Sequence, residues 1–166
     1  MQTIAIAPQR PAEALLCSGH AACPGCVEPL SVRHILDILG PDTMLVIPPS
    51  CMAIIAGPQP FSSLRVPVYQ PTLESSAAAA SGLRRALDAQ GKQQTQVVVL
   101  DRNHSPGAGG VLHQELRAAL FGAERAPRVH GYLAGVGGVS VSPEMIGRFV
   151  RQALAGAAAD ESIWVR

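Results

Sequence analysis

The chain has 166 residues and a mass of 17.3 kDa, which is enough for one compact domain or two small ones. Hydrophobic residues make up 48% of the chain and charged residues only 15%, a balance that excludes an intrinsically disordered protein. The net charge of +1, the lack of a basic cluster and an aromatic content of 4% argue against a nucleic-acid partner. A surface so poor in charge is expected to be partly covered by protein partners.

No membrane or export segment is expected. The longest apolar stretches fall far short of the ~20 residues that a membrane-spanning helix needs. Near the start of the chain, Arg10 follows the apolar residues instead of preceding them, which is the wrong order for a secretory signal. The sequence therefore predicts a cytoplasmic protein without membrane contact, in which a disulfide framework is not expected.

Secondary-structure signals divide the chain into a loop-rich segment, residues 1–42, and a segment of alternating strands and helices, residues 43–166. The first segment holds one predicted helix, near residues 29–39, which Gly40 and Pro41 end. The predicted strands are 43–47, 65–69 (weakened by Pro67), 96–100, 129–134 and 162–166. The other predicted helices are 73–90, 112–121 and 143–154, the last with Ser142 as N-cap and Pro143 in its first turn.

Apolar residues recur at helical spacing in each of these later helices. The first face comprises Leu73, Ala77, Ala80, Leu83 and Leu87. The second comprises Leu112, Leu116, Ala119 and Leu120, and the third Ile146, Phe149, Val150, Ala153 and Leu154. The alternation predicts an α/β domain, a mostly parallel open sheet with flanking helices, preceded by the loop-rich, cysteine-containing N-terminal segment.

The cysteines are the sharpest chemical signal. Cys23 and Cys26 form a CxxC pair just before the first predicted helix, where the helix dipole and free amides stabilise thiolates. Cys17 lies nearby, and Cys51 follows the predicted strand 43–47 and could fold back over the pair. This pattern suits an iron–sulfur cluster, a zinc site in which His20 could take part, a thiol–disulfide switch, or four unrelated cysteines.

Three separated stretches, in order, resemble the start of the β subunit of the 2-oxoacid:ferredoxin oxidoreductases, a family that includes pyruvate:ferredoxin oxidoreductase. They read GHAACPGCVEPLSVRHIL, GPDTMLVIPPSCM and VPVYQPTLESSAAAASGLRRALDAQGK, and the resemblance covers about residues 19–92. It implies a [4Fe–4S] cluster with Cys23, Cys26 and Cys51 as ligands. The family's fourth ligand lies far downstream, and no cysteine follows Cys51 here, so Cys17 is the expected internal replacement. The alternatives are a ligand from a partner chain, or a cluster that is labile or absent.

The rest of the chain departs from the β subunit. The family's GDG motif and the Asn that hold the Mg²⁺ of thiamine diphosphate do not follow, and QVVVLDRNHSPGAGG stands there instead. Residues 96–155 are similar to the C-terminal part of the family's α subunit, with the junction near 92–96. The matching residues are Asp101, Arg102, Ser105, Gly107, Gly110, Glu115, Gly135, Gly137 and Gly138, whereas Val139 and Ser140 replace the family's Arg-Asp.

The resemblance also implies shared coenzyme sites. Ser50 and Glu74 would form one wall of a thiamine diphosphate cavity, although a carboxylate in a first helical turn is also explained by the helix dipole. Apart from the resemblance, Gly107, Gly109 and Gly110 lie in a loop before a predicted helix and could hold a phosphate or the pyrophosphate of coenzyme A. The loop lacks the Walker lysine, and glycine turns after strands are common structural features.

The expected function is that of an iron–sulfur electron-transfer subunit in a thiamine diphosphate-dependent 2-oxoacid oxidoreductase complex. Its expected partners are other subunits that supply the Mg²⁺ site, together with ferredoxin or further copies of the chain. The alternative is a structural or regulatory paralogue, without turnover, that holds zinc or a cluster. A third alternative is a fusion of two remnants without function, against which the well-formed helix caps and stops argue.

Overall fold

The computed structural model describes residues 14–92, 97–101, 104–106, 109–122, 126–156 and 163–164. The helices are α1 (Glu28–Leu39), α2 (Cys51–Ala56), α3 (Ser76–Ala89), α4 (Val111–Leu120) and α5 (Pro143–Leu154). The strands are β1 (Leu45–Val46), β2 (Val68–Tyr69), β3 (Val97–Asp101), β4 (His104–Ser105), β5 (Gly109–Gly110), β6 (Val129–Leu133) and β7 (Ile163–Trp164).

The predicted α/β class is confirmed. Strands β1 and β2 pair in parallel, and so do β3, β6 and β7 in a second sheet ordered β3-β6-β7. Strands β4 and β5 form a small antiparallel pair between β3 and α4. Parallel neighbours need a crossover connection, and helices α2 and α4 supply it between β1 and β2 and between β3 and β6.

The two parallel sheets differ in the length of their strands. The β-branched run of β3 pairs along its whole length with β6, from Val97 opposite Val129 to Asp101 opposite Leu133. Strands β1 and β2 have two residues each, shorter than predicted, because prolines interrupt both runs. Pro48 follows Ile47 at the end of the first, and Pro67 precedes Val68 in the second, and proline offers no N–H to a ladder.

Helix α1 connects two hydrophobic cores. Leu36, fully buried, belongs to a core with Leu16, Met52 and Ile55. On another side of the same helix, Ile35, Ile38 and Leu39 pack against the second core, which comprises Tyr132, Ala134, Ile146, Phe149, Val150 and Ala153. The helix ends where predicted: Gly40 adopts a φ of 78° and donates its N–H to the carbonyl of Leu36 at 2.8 Å.

Helix α5 confirms its predicted cap and most of its predicted face. The Ser142 hydroxyl accepts a hydrogen bond from the Met145 N–H at 3.3 Å, and Pro143 is the first helical residue. Ile146, Phe149, Val150 and Ala153 are buried, as expected. Leu154 is 47% exposed, so its inclusion in the buried face was wrong; it is the last helical residue and lies beyond the core.

The predicted apolar face of α3 is only partly correct. Leu73 precedes the helix and is 58% exposed, because the chain first turns at Thr72, whose carbonyl accepts hydrogen bonds from the Ser75 N–H and the Ser76 hydroxyl. The helical residues buried most are Ser76 and Arg84. Arg84 forms an ion pair with Asp88 one turn later, which compensates its burial.

Within the described part of the chain, no helix combines the length and the apolar character required to cross a membrane.

Candidate functional site

The CxxC sequence forms a tight turn at the N-terminus of α1. The Cys26 N–H donates to the Cys23 carbonyl at 3.0 Å, which closes the turn over Pro24 and Gly25. Gly25 has a φ of 78°, a conformation that glycine adopts without strain, and proline before such a glycine is typical of a type II turn. The turn therefore fixes the spacing between the two cysteine backbones before the helix starts.

Both cysteines line one cavity, of about 340 Å³, beside the first two turns of α1. The Cys23 side chain is exposed and Cys26 is half-buried. Pro29 and Leu30 form the apolar part of the wall, and His20 and Arg33 are also among its lining residues. Cys26, Pro29, Leu30 and Arg33 follow each other at helical spacing, so one side of α1 faces the cavity.

Two nitrogen atoms of residues that line this cavity are buried without compensation. His20 Nδ1 and Arg33 Nε are both inaccessible to solvent, and neither has a hydrogen-bond partner among the residues that the structure describes. Buried polar atoms are normally paired, because an unmade hydrogen bond leaves the cost of desolvation unbalanced. Because solvent reaches neither atom, the groups that the cavity offers to a ligand are the thiols of Cys23 and Cys26.

Cys17 lies on a different element. Leu16 and Leu64 form an isolated antiparallel bridge, flanked by hydrogen bonds from Cys17 N–H to Ser63 O (2.7 Å) and from Arg65 N–H to Leu15 O (2.9 Å). The Cys17 thiol accepts a hydrogen bond from Arg65 Nε at 3.1 Å. The backbone hydrogen bonds and the Arg65 guanidinium group together hold Cys17 beside residues 63–65.

Cys51 is the first residue of α2 and is exposed. It follows the turn at Pro48 and Pro49, in which the Ser50 hydroxyl donates to the Pro48 carbonyl at 2.9 Å. The predicted place of Cys51, after a strand end, is therefore confirmed. In the described residues, however, no three or more Cys, His, Asp or Glu side chains converge as a metal site. The structure thus brings Cys23 and Cys26 to one cavity and leaves Cys17 and Cys51 on other elements.

The other predicted coenzyme residues are distributed over the surface. Ser50 and Glu74 are exposed, Glu74 in the turn that precedes α3. Gly109 and Gly110 pair with Ser105 and His104 in the β4-β5 ladder, and Gly110 is the N-cap of α4. Gly107 lies outside the described residues. The hairpin gives these glycines a structural role, and phosphate binding there stays a prediction.

Sequence reasoning missed Arg33 as a residue of the cavity, although its spacing of seven residues from Cys26 was a usable signal. It also missed the packing of His113 against Gly131. His113 of α4 and His130 of β6 are fully buried. A Cβ added at Gly131 would lie 2.4 Å from Cγ of His113, so the imidazole ring occupies the space that any larger residue would need. A glycine inside the apolar strand 129–134 is the signal for such a close approach.

Two residues outside the cavity, Glu144 and Tyr132, have shifted pKa values. The hydrogen bond with Ser142 and the backbone of Glu144 lower the pKa of the Glu144 carboxyl at the start of α5, and His34 adds a favourable charge. Burial raises the pKa of Tyr132 above its ordinary value of 10.0. The Tyr132 ring packs on Phe149, with 4.8 Å between the ring centroids.

Part of the chain matches a known family model. Residues 84–146 match pyruvate:ferredoxin oxidoreductase core domain II. That range begins in α3 and ends in α5, so it covers strands β3 and β6 of the second sheet and the helix α4 between them. It includes most of the part whose motifs resemble the α subunit.

The curated relatives are subunits of related enzymes. The chain is 34% identical over 119 residues to pyruvate synthase subunit PorB of Methanothermobacter thermautotrophicus, which is 72% of this chain and 40% of PorB. It is 43% identical over 74 residues to ketoisovalerate oxidoreductase subunit VorB of Pyrococcus abyssi, 45% of this chain and 24% of VorB. A third relative is the β subunit of NADH-dependent phenylglyoxylate dehydrogenase of Aromatoleum evansii. It is 39% identical to this chain over 75 residues, which is 44% of this chain and 17% of that subunit. The chain thus spans less than half the length of these relatives.

Proposed function

We propose, from the relationship of this chain to the 2-oxoacid:ferredoxin oxidoreductase family, that it is an iron–sulfur electron-transfer subunit of an oxidoreductase complex. The observation that carries the proposal is the cavity at the start of α1. There the CxxC turn places the thiols of Cys23 and Cys26 at one cavity. Two thiolates held in this way are typical ligands of an iron–sulfur cluster.

In this proposal Cys23 and Cys26 are the first ligands of a [4Fe–4S] cluster. Cys51, at the exposed start of α2, is the third, and Cys17 the fourth. Cys17 accepts a hydrogen bond from Arg65, a bond that a cysteine sulfur can keep when it ligates iron. When bound, the cluster accepts and releases one electron at a time; the exposure of Cys23 keeps this site near the surface, where an electron acceptor can approach.

Other subunits would supply the thiamine diphosphate site. The sequence has no GDG motif after α3, so this chain lacks the family's Mg²⁺-binding signature. Ser50 and Glu74 are both exposed and therefore available to line a coenzyme cavity that a neighbouring subunit completes. The substrate would be a 2-oxoacid, in keeping with the names of the pyruvate and ketoisovalerate enzymes among the relatives.

Large exposed apolar side chains support an assembly with such subunits. Phe61 is 84% exposed and Phe121 is 91% exposed, in a protein in which only 15% of the residues are charged. Val27 and Leu30 are exposed at the start of α1, and Leu30 lines the cavity. An apolar rim beside the cysteines suits a protein contact there. The relatives are named as subunits, which agrees with this arrangement.

The test is the metal and acid-labile sulfide content of the protein after anaerobic purification, with its absorption spectrum. The proposal predicts iron and sulfide in equal amounts, lost in Cys23→Ser, Cys26→Ser and Cys51→Ser. Ser18→Ala, an exposed change in the same loop, is the matched control and should retain both. Loss on Cys17→Ser would assign the fourth ligand to this chain, and retention would assign it to another molecule.

Zinc without sulfide would contradict the electron-transfer role. It would favour the structural or regulatory paralogue, in which the same cysteines hold a redox-inactive ion.

A further inference from the structure

We propose that Cys23 and Cys26 form a reversible disulfide across the CxxC turn, so that oxidation withdraws both thiols from the cavity at the start of α1. The inference concerns the chain without bound metal, and it does not depend on which metal the cysteines bind in a complex. A disulfide needs two sulfur atoms and no further ligand, so two cysteines at one cavity are sufficient for it. The turn is thereby a redox switch: its reduced form offers two thiolate ligands, and its oxidised form offers none.

The turn brings the two cysteine backbones into the range that a disulfide requires. The Cys26 N–H donates to the Cys23 carbonyl at 3.0 Å, and in a turn closed in this way the first and fourth Cα atoms lie less than about 7 Å apart. Disulfides join residues whose Cα atoms are about 4.4–6.8 Å apart. Pro24 and the φ of 78° at Gly25 favour this closed turn, so the two sulfur atoms can join without a large movement of the backbone.

The exposure of the two thiols assigns a step to each. Cys23 is exposed, so a small-molecule disulfide can reach it, and Cys26 is half-buried at the same cavity. The Cys23 thiolate attacks one sulfur atom of the small disulfide, which leaves a mixed disulfide and releases one small thiolate. The Cys26 thiolate then attacks the Cys23 sulfur, forms the new bond and displaces the second small thiolate. Two protein thiols are thus oxidised, the small disulfide is reduced, and the two protons pass to the released thiolates.

The other two cysteines are held on separate elements. Cys17 lies beside the bridge between Leu16 and Leu64, where its sulfur accepts a hydrogen bond from Arg65, and Cys51 starts α2. Neither is among the described residues that line the cavity. The second step of the exchange therefore takes place inside the turn, where proximity makes it faster than attack by a thiol from another molecule.

The experiment uses the full chain, freed of metal by a chelator and equilibrated anaerobically with mixtures of reduced and oxidised glutathione. Free thiols are alkylated and counted from the mass of the intact chain, peptide mapping locates the disulfide, and circular dichroism monitors the fold. We expect two of the four thiols to be lost, in a Cys23–Cys26 bond that dithiothreitol reverses. Cys23→Ser and Cys26→Ser should abolish this bond, whereas Cys17→Ser and Cys51→Ser should retain it.

Gly25→Ala tests the part that the turn plays. Alanine is strained at a φ of 78°, so the closed turn becomes less favourable, and the equilibrium constant for disulfide formation should fall about fivefold. Gly19→Ala is the matched control, because Gly19 has a φ of 86° and lies in the same loop but outside the turn. No described atom lies within 4 Å of a Cβ added at either glycine, so the two changes differ in place and not in crowding. The control should leave the constant unchanged.

Three results would overturn the inference: four free thiols at every glutathione ratio, a disulfide between other cysteines, or glutathione that stays attached to single cysteines. A constant that is the same in Gly25→Ala as in the unmodified chain would also contradict it, because the bond would then not depend on the closed turn. None of these results alters the iron and sulfide content of the protein before chelation, so the proposed iron–sulfur function is tested separately.

Discussion

The front region of the molecule, residues 14–92, and the rear region, the described residues from 97 onward, are built differently. In the rear region, β3 and β6 pair over five residues each and α5 covers them with a continuous apolar face. In the front region, β1 and β2 pair over two residues. Cys23 and Cys26 flank a turn, Cys51 starts α2, and Cys17 lies beside the short bridge between Leu16 and Leu64. The rear region is a regular scaffold, and the front region holds the cysteines on turns, at a helix start and beside a short bridge. This division is common in proteins, since loops on a rigid support tolerate the residues that chemistry needs.

The two regions share α1, and this sharing determines what mutations should do. Leu36 faces the front core, whereas Ile35, Ile38 and Leu39 contact the rear core. We therefore expect damage to α1 to affect both regions. Damage inside the rear core should lower stability without altering the cysteine chemistry.

The largest effect is expected for Leu36→Ala. Removal of a fully buried leucine leaves a cavity, and the free energy of unfolding should fall by about 3.5 kcal/mol. Urea unfolding can be followed by far-ultraviolet circular dichroism and by the fluorescence of the single tryptophan, Trp164, which belongs to the rear sheet. Both signals should shift together.

Leu30→Ala, at a position of the same helix that is 47% exposed, is the control and should change the free energy by less than about 0.5 kcal/mol. A shift of the circular dichroism signal alone would show that the two regions unfold independently.

Gly131→Ala should have the next largest effect, confined to the rear region. The new Cβ would lie 2.4 Å from the His113 ring, and both residues are buried, so strand β6 or helix α4 has to move. We expect a loss of about 2.5 kcal/mol in the free energy of unfolding, measured by urea titration.

Gly82→Ala provides the contrast for this prediction. Gly82 lies inside α3, and no atom comes within 4 Å of the position that an added methyl group would take, so alanine there should stabilise by about 0.5 kcal/mol. If Gly131→Ala were as stable as the unmodified protein, the packing of His113 on β6 would be wrong.

The smallest effect concerns alkaline stability. Because burial raises the pKa of Tyr132 above 10.0, the unfolded chain ionises first as the pH rises. The stabilisation is fully present below about pH 10 and is lost as the pH increases through the pKa of the folded state. In Tyr132→Phe this source of pH dependence is absent, so the free energy of unfolding should decline less between about pH 9 and 11.

Tyr69→Phe tests the specificity of that decline. Tyr69 is the other tyrosine and is 50% exposed, so its replacement should leave the alkaline decline of the free energy of unfolding in place. Equal curves for Tyr132→Phe and the unmodified protein would show that Tyr132 does not cause the decline.

The rear region was predictable because local signals and packing agree there. A few neighbouring residues are enough to predict the structure of three features there: the run Val97–Leu100, the strand 129–133 and the helix cap at Ser142. The errors arose where tertiary contacts decide: Leu154 continues the helical spacing of α5 but lies beyond the edge of the core, and Leu73 continues that of α3 but precedes the helix. Periodicity shows which residues share a face; it does not show how far the opposing surface extends.

The candidate site was predictable in its cysteines but not in its surroundings. The CxxC pattern identifies Cys23 and Cys26 directly, whereas the place of Arg33 in the cavity wall depends on which face of α1 turns toward the cavity. That choice is made by the burial of Leu36 and by the contact of α1 with the rear core. The pairing of Cys17 with Arg65 joins residues 48 positions apart, and no local pattern predicts such a contact.

The most direct test of the account is the electron paramagnetic resonance spectrum of the anaerobically purified, chemically reduced protein. The account predicts the signal of a reduced [4Fe–4S] cluster in the unmodified protein and in Gly82→Ala, and its absence from Cys23→Ser and Cys26→Ser. A protein that contains zinc, shows no such signal and has the same spectrum with and without these cysteines would contradict it.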